Sequence, residues 1–497
     1  MSAHFARPDR HPALDGLRDR RMLRELAYVD GHWTAGDAGQ TFEVSDPASG
    51  AKIGWVSKLN ADQTTIAIDA AAKAFPAWRD LLPQERTSKL RRWYELILEA
   101  KDDLALIMTL EQGKPLAESR GEIDYAASFI EWYAEESKRL NAEGVTSHLP
   151  HAEMIVRREA LGVVGVVTPW NFPSAMLTRK AAAALAAGCT IVAHPSSQTP
   201  LSALALAELA DRAGIPGGVF NIVTGDAATI VGRLCEDSRV RALSFTGSTE
   251  IGRLIAGQCA PTMKNLIMEL GGHAPLIIFA DADIDRAVDI AIAAKFATSG
   301  QDCLAANRIY VERSIQDAFA TALTKRIGEL KVAPGLTEGS DIGPLMHERA
   351  VQKVEEQVAD ALARGANCLV GGKRHRAGTL FYEPTLLTNV SDDALIMREE
   401  TFGPVAAIAS FDSEDEVVAR ANATEYGLVA YAVTKDGARM LRLGRKLEYG
   451  MVAINRVKIT GAPIPFGGIK QSGLGREGSR HGIEAFTELK YLCIDTH

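Results

Sequence analysis

VVGVVT, Val163 to Thr168, opens an alternation that repeats down the chain and sets the fold. It is followed by a helix-forming stretch, Ser174 to Ala187, then by TIVA (Thr190 to Ala193), Leu201 to Ala213, VFNIVT (Val219 to Thr224), ALSFT (Ala242 to Thr246) and Glu250 to Cys259. Short runs rich in β-branched residues, separated by Ala- and Leu-rich stretches of helical length, predict a parallel sheet with crossover helices, an α/β fold. In such a sheet ligands bind at the carboxyl ends of the strands.

Upstream, YVDGHW (Tyr28 to Trp33) and DPASG (Asp46 to Gly50) punctuate short extended segments. Helices with apolar faces are predicted over Asp62 to Trp78, Pro83 to Lys101, Asp102 to Gln112 and Ala117 to Leu140, with most of their charges on solvated faces. Downstream, LIIF (Leu276 to Phe279) begins a second alternating unit, with helices near Ile315 to Ile327 and Glu348 to Ala363 and strands near Val405 to Ser410 and Leu428 to Val433. Extended segments between Leu140 and Ile155, and from Ala485 to Ile494, stand outside both units.

The 497 residues are 46% hydrophobic and 24% charged, ordinary globular usage with enough chain for two or three domains. A net charge of -8 argues against a general nucleic-acid surface. The six cysteines (Cys189, Cys235, Cys259, Cys303, Cys368, Cys493) show no metal-ligand spacing and read as reduced thiols in a cytoplasmic protein, with no metal site expected. No apolar run reaches the length of a membrane span, and Met1 to Arg20 reads as a surface arm.

The stretch most suggestive of chemistry is SGQDCLAANR, Ser299 to Arg308. Apolar residues at helical spacing precede it (Ile284, Ala287, Val288, Ala291, Ile292), with Lys295 breaking the face, and Ser299-Gly300 then punctuates a turn. Cys303 is thus predicted on a loop held by rigid elements, where a thiol with a lowered pKa, a nearby base or backbone donors can act as a nucleophile. Taken alone, a cysteine beside Leu304 and Ala305 is more often an inert core residue. Four further stretches change that balance: PWNFP (Pro169 to Pro173), FTGSTEIG (Phe245 to Gly252), MELGG (Met268 to Gly272) and EETFGPV (Glu399 to Val405).

With these motifs in this order, the chain from Tyr28 to Cys493 resembles the aldehyde dehydrogenase superfamily. Its tail PFGGIKQSGLGREGSRHGIEAF (Pro465 to Phe486) looks most like the bacterial succinate-semialdehyde dehydrogenase branch. The resemblance implies a Rossmann-like cofactor domain (residues 1–140 and 156–272), an α/β catalytic domain (273–478) and a small β arm (141–155 and 479–497) that pairs subunits into a homodimer or homotetramer. It also implies a small aldehyde as substrate, and NAD or NADP as cofactor.

Oxidising an aldehyde to an acid needs a nucleophile, a hydride acceptor, an oxyanion stabiliser and a base for water, and the motifs supply a candidate for each protein role. Cys303 would attack the carbonyl, and the Asn171 amide with the Cys303 N–H would hold the developing oxyanion. Glu269 would activate water, and its presence favours hydrolysis over transfer to coenzyme A. By resemblance Thr168, Trp170, Gly247, Ser248, Leu270, Glu400 and Phe402 contact the cofactor. GxGxxG is absent, however, and GSTEIG offers Gly247 and Gly252 only, with Ser248 equally readable as a helix N-cap.

Departures from the family concern specificity. His194 stands before Pro195 where the family has a ribose-gripping lysine, and Ser197 replaces a glutamate common in NAD-preferring relatives, which makes NADP admissible. Arg179 and Phe466 match the substrate site of the succinate-semialdehyde branch. That branch uses a second arginine where this chain has Ala297 and a serine where it has Thr460, with Lys458 and Arg456 nearby. An anionic semialdehyde is the leading substrate class, with glutarate semialdehyde, sulfolactaldehyde or a neutral aldehyde as alternatives. Arg179 could equally pair within its helix. The residue two after the nucleophile is Ala305, so a local disulfide there is not available. A catalytically silent binding protein and a cofactor-free thioesterase are the competing classes. The first needs none of Cys303, Glu269, Asn171 and Glu400, and the second needs neither FTGSTEIG nor EETFGPV.

Overall fold

The computed structural model of the chain describes residues 10–497. The alternation read from VVGVVT forms the centre of an eight-stranded sheet. Its five middle strands run Asn265–Glu269, Val240–Thr246, Val163–Thr168, Thr190–Pro195 and Phe220–Ile222 side by side, all parallel. The hairpin Ala27–Val29 and His32–Thr34 closes one edge, and the short strand Gly473–Leu474 lies antiparallel on the other. Every residue of Val163–Thr168 is buried, the two-faced burial expected of a parallel strand covered by helices.

The helix Pro173–Ala187 begins with proline at its first position and ends at Gly188 in the left-handed region (φ 97°), so both termini are written in the sequence. A second, seven-stranded sheet carries Ala274–Ile278, Ala306–Glu312, Val405–Phe411, Thr385–Thr388, Val429–Val433 and Met451–Ile454 in parallel, with Asn367–Val370 antiparallel at its edge. A third sheet of three antiparallel strands, Glu143–Val145, Ala152–Ala160 and Thr487–Asp495, stands apart from both.

Several elements depart from the sequence expectations. The strand Ala152–Ala160 runs past the expected boundary at residue 155 because its nine residues all pair with Thr487–Asp495. The helix Ser479–Glu484 packs on the helices Leu116–Glu136 and Pro173–Ala187 rather than joining the arm, and Gly473–Leu474 belongs to the first sheet. The N-terminal segment is not a surface arm from Arg10 onward. Leu14, Leu17 and Met22 are buried in the first core, and buried Asp103 accepts the backbone N–H groups of Arg18 and Asp19 at 2.9 Å each. Residues 1–9 of that expected arm lie outside the described residues. Among the described residues, no helix is long and apolar enough to cross a membrane.

Candidate active site

The carboxyl end of the first sheet meets the amino end of the second, and the motifs gather at that seam. The strand Asn265–Glu269 delivers Glu269, and the glycines after it bring the backbone against the Cys303 loop. A Cβ on Gly272 would lie 2.3 Å from the Cys303 carbonyl oxygen, so only glycine allows this approach. The strand Val163–Thr168 delivers PWNFP. Asn171 is buried, and its side-chain amide donates to the Gln301 carbonyl at 3.1 Å, which fixes it two residues before the nucleophile.

The helix Ile284–Phe296 ends in a turn in which Thr298 and Ser299 both adopt positive φ (51° and 57°), a strained path for residues with side chains. That strain is held by specific bonds. Glu118 accepts the Thr298 N–H at 3.1 Å, and the Ser299 hydroxyl donates to the Gly343 carbonyl at 3.0 Å. Cys303 is half-buried on the loop that follows. Burial pushes its thiol well above the usual range, with Asp302, Glu400 and Glu269 adding to the rise and Arg179 opposing it.

Glu269 is only 2% exposed, and neither carboxylate oxygen has a hydrogen-bond partner. Burial, reinforced by the charge of Glu477, pushes it well above the ordinary carboxylate range against the pull of Arg179, Lys180 and Arg476. The PFGG segment closes over it. Gly467, at φ 155°, passes so near that a Cβ there would lie 2.8 Å from Glu269 Oε1.

Glu477 is the central group that motif reading passed over. It is buried and forms ion pairs with both Arg179 and Lys180, adjacent residues of the helix Pro173–Ala187. Burial alone would raise its carboxyl, but the two cations hold it below the usual range. Arg179, 1% exposed, also stacks over the Phe466 ring at 4.1 Å. Of the other substrate candidates, Thr460 is half-buried, whereas Lys458 is exposed.

Buried Lys114 was missed for a different reason. It sits in a charged helix-turn stretch that reads as solvated, yet its ammonium donates to the Asn171 carbonyl and to Glu122, both at 2.6 Å. Glu122 in turn accepts the Ser174 and Ala175 N–H groups at 3.0 and 3.1 Å, capping the helix that follows PWNFP.

The cofactor candidates line the carboxyl ends of neighbouring strands, since Thr168 registers with Pro195 and Phe245 with Val167. Thr168 and Thr246 end their strands with buried hydroxyls that have no protein partner, as expected where a polar ligand completes the site. Ser248 caps the helix Thr249–Cys259, its hydroxyl accepting the Ile251 N–H at 3.4 Å, beside the turn that Gly247 opens. Leu270 is buried against Gly252. Glu400 accepts the Gly272 N–H at 3.0 Å, and burial pushes its carboxyl up to about 7. Lys295 does not merely interrupt an apolar face. It is buried near Glu400, donates to Asn307 at 2.7 Å, and is pushed down to about 7 by desolvation. Phe402, at φ 54°, meets Trp170 edge-on with ring centroids 5.6 Å apart. His194 is buried with Nδ1 3.0 Å from the Val223 carbonyl, and burial lowers its pKa, which keeps the imidazole neutral. Ser197 is exposed at the rim. These groups fit a dinucleotide laid across the strand ends.

Residues 33–492 match the aldehyde dehydrogenase family. The chain belongs to that family. It is 53% identical over 478 residues to the glutarate-semialdehyde dehydrogenase of Pseudomonas aeruginosa, covering 96% of this chain and 99% of the relative. It is 52% identical to the NADP(+) succinate-semialdehyde dehydrogenase of Escherichia coli, with the same coverage. The crystal structure of an Escherichia coli NADP-dependent enzyme superposes with a TM-score of 0.96 at 52% identity, covering 96% of this chain and all of that one. This aldehyde dehydrogenase therefore has the family's fold, with a Rossmann-like NAD(P)-binding domain beside catalytic and oligomerisation domains, and oxidises an aldehyde with NAD or NADP.

Proposed function

We propose that the substrate is a short anionic semialdehyde of the succinate or glutarate type, oxidised to the dicarboxylate and released by hydrolysis. The observation that carries this reading is the pair Arg179 and Lys180, buried beside the Cys303 and Glu269 site with one carboxylate, Glu477, shared between them. Two basic side chains thus share the single carboxylate of Glu477, with burial lowering the pKa of Lys180. The names of the two semialdehyde relatives point the same way.

In this mechanism Cys303 releases its proton to water, and the thiolate sulfur bonds to the aldehyde carbon as the C=O π pair moves onto oxygen. Asn171, held by Gln301, has a second amide N–H to give the oxyanion of the resulting thiohemiacetal. Glu400, Phe402 and Trp170 would hold the nicotinamide of NAD or NADP, which would supply the hydride acceptor that turns the thiohemiacetal into a thioester. Glu269 then takes a proton from water, which attacks the thioester and frees Cys303. Asn171→Ala is expected to lower kcat by about 10²- to 10³-fold, the usual loss for one oxyanion donor. An unchanged KM for the cofactor in the same variant would separate this role from general damage.

The test of the substrate class is a panel of steady-state rates crossing NAD and NADP with succinate semialdehyde, glutarate semialdehyde, sulfolactaldehyde and butanal. Preference for the anionic aldehydes supports the assignment; a preference for butanal ends it. The same panel ranks the cofactors, for which the neutral His194 and the exposed Ser197 make NADP acceptable. On the arm, Leu489 (65% exposed) and Tyr491 (54%) leave an apolar strand open, which fits pairing with a second subunit.

A further inference from the structure

Asn171 follows a strand of the first sheet and Cys303 precedes a strand of the second, so the distance between oxyanion donor and nucleophile must be set by something that touches both. The helix Leu116–Glu136 does so through two carboxylates one turn apart on the same face, Glu118 and Glu122. Glu122 accepts the Ser174 and Ala175 N–H groups and pairs with Lys114, whose ammonium donates to the Asn171 carbonyl. Glu118 reaches the other way, to the nucleophile loop. Both of its oxygens lie 3.1 Å from the Thr298 nitrogen, and the Thr298 hydroxyl donates to Oε2 at 3.2 Å, a clasp between residues 180 positions apart.

The clasp falls where the chain most needs one. Thr298, Ser299 and Gly300 take φ of 51°, 57° and 72°, a left-handed run in which only the glycine is free of steric cost. Without the clasp, Thr298 would relax toward negative φ and turn Gln301 and Cys303 with it. Gln301 passes that movement on, because its carbonyl accepts the Asn171 amide at 3.1 Å. We propose that Glu118 is a positioning residue, which aims Cys303 at the carbonyl carbon by holding Thr298 left-handed while Glu122, one turn on, steadies Asn171 over the carbonyl oxygen. A misplacement of about 1 Å between reacting groups costs on the order of 10²-fold in rate. The assignment uses only the aldehyde dehydrogenase reaction and holds whichever aldehyde is the substrate.

The experiment compares wild type, Glu118→Ala, Glu118→Gln and the double variant Glu118→Ala/Thr298→Gly, with NADP and whichever of succinate semialdehyde and butanal wild type oxidises faster. Stopped-flow nicotinamide absorbance reads the first turnover, and peptide mass spectrometry follows alkylation of Cys303 by iodoacetamide across pH. Glu118→Ala is expected to slow the first turnover by about 10- to 10²-fold, with the cofactor KM within about twofold of wild type. Glu118→Gln keeps an oxygen for the Thr298 N–H and should recover most of that rate. Thr298→Gly removes the steric cost of the left-handed turn and should recover much of it in the alanine background. The pH profile of alkylation should match wild type in every variant, since a freely diffusing reagent needs no aim. An unchanged first turnover in Glu118→Ala overturns the proposal. So does a loss that neither Glu118→Gln nor Thr298→Gly reverses, which is general damage, and so does an alkylation profile shifted to lower pH in both Glu118 variants, which makes Glu118 an electrostatic group.

Discussion

Cys303→Ala is expected to abolish turnover, by about four orders of magnitude or more, while leaving the folded protein intact. Removing the nucleophile from an enzyme that proceeds through a covalent intermediate acts on that scale, because the remaining groups have no acyl-enzyme to work on. Stability should change by no more than about 1 kcal/mol, since Cys303 is half-buried and lies outside both sheets. The resting thiol also predicts a pH dependence. Burial and the carboxylates around Cys303 push its pKa up, so the thiolate fraction, and with it the acylation rate, should climb as pH rises. The measurement is nicotinamide absorbance at saturating aldehyde, with intact-protein mass spectrometry to follow acylation. Dehydrogenase activity near wild type in Cys303→Ala would remove the thiol from the reaction.

Much of this architecture was legible because its signals are local. The alternation from VVGVVT carries the period and the helix punctuation of a parallel sheet, and Pro173 and Gly188 mark one of its helices directly. Cys303, Asn171, Glu269 and Glu400 could be singled out because each stands in a short, dense motif. What escaped was the set of groups whose roles depend on partners far away in sequence. Glu477 looks like one charge in the run GREGSRH, and only the packing of that segment on the helix Pro173–Ala187 shows that it neutralises Arg179 and Lys180. Glu118 and Glu122 lie in a charged helix, and Lys114 in the turn before it, whose pattern suggests a solvated face. Lys114 and Glu122 are buried and Glu118 half-buried because they satisfy backbone groups of PWNFP, of the helix that follows it and of the strained turn before Cys303. Periodicity reports which face of a helix is apolar; it does not report that a polar residue on that face has been paid for by an orphan N–H elsewhere.

Glu269→Gln is expected to lower steady-state turnover on the order of 10³-fold, within the range for loss of a general base, while a first equivalent of reduced nicotinamide still forms and the acyl group accumulates on Cys303. That split follows from the order of steps, since the base is needed for water after the hydride has left. Both Glu269 oxygens are buried without partners and its pKa is raised, so at moderate pH the carboxyl is held neutral and becomes a base only as pH climbs through that raised value. Wild-type deacylation should therefore increase with pH, and the glutamine variant should lose that limb. Stability shifts in the opposite sense. A carboxyl with a raised folded pKa binds its proton more tightly in the native state, so its contribution is complete below the unfolded pKa and declines as pH rises toward the folded one. Glutamine stays neutral throughout, so Glu269→Gln should be at least as stable as wild type at alkaline pH, measured by thermal unfolding. If the variant turns over normally, or shows no burst and no acyl-enzyme, Glu269 is not the base that releases the product. Normal turnover would mean that water is activated elsewhere, and an absent burst would move Glu269 to the step in which Cys303 is deprotonated.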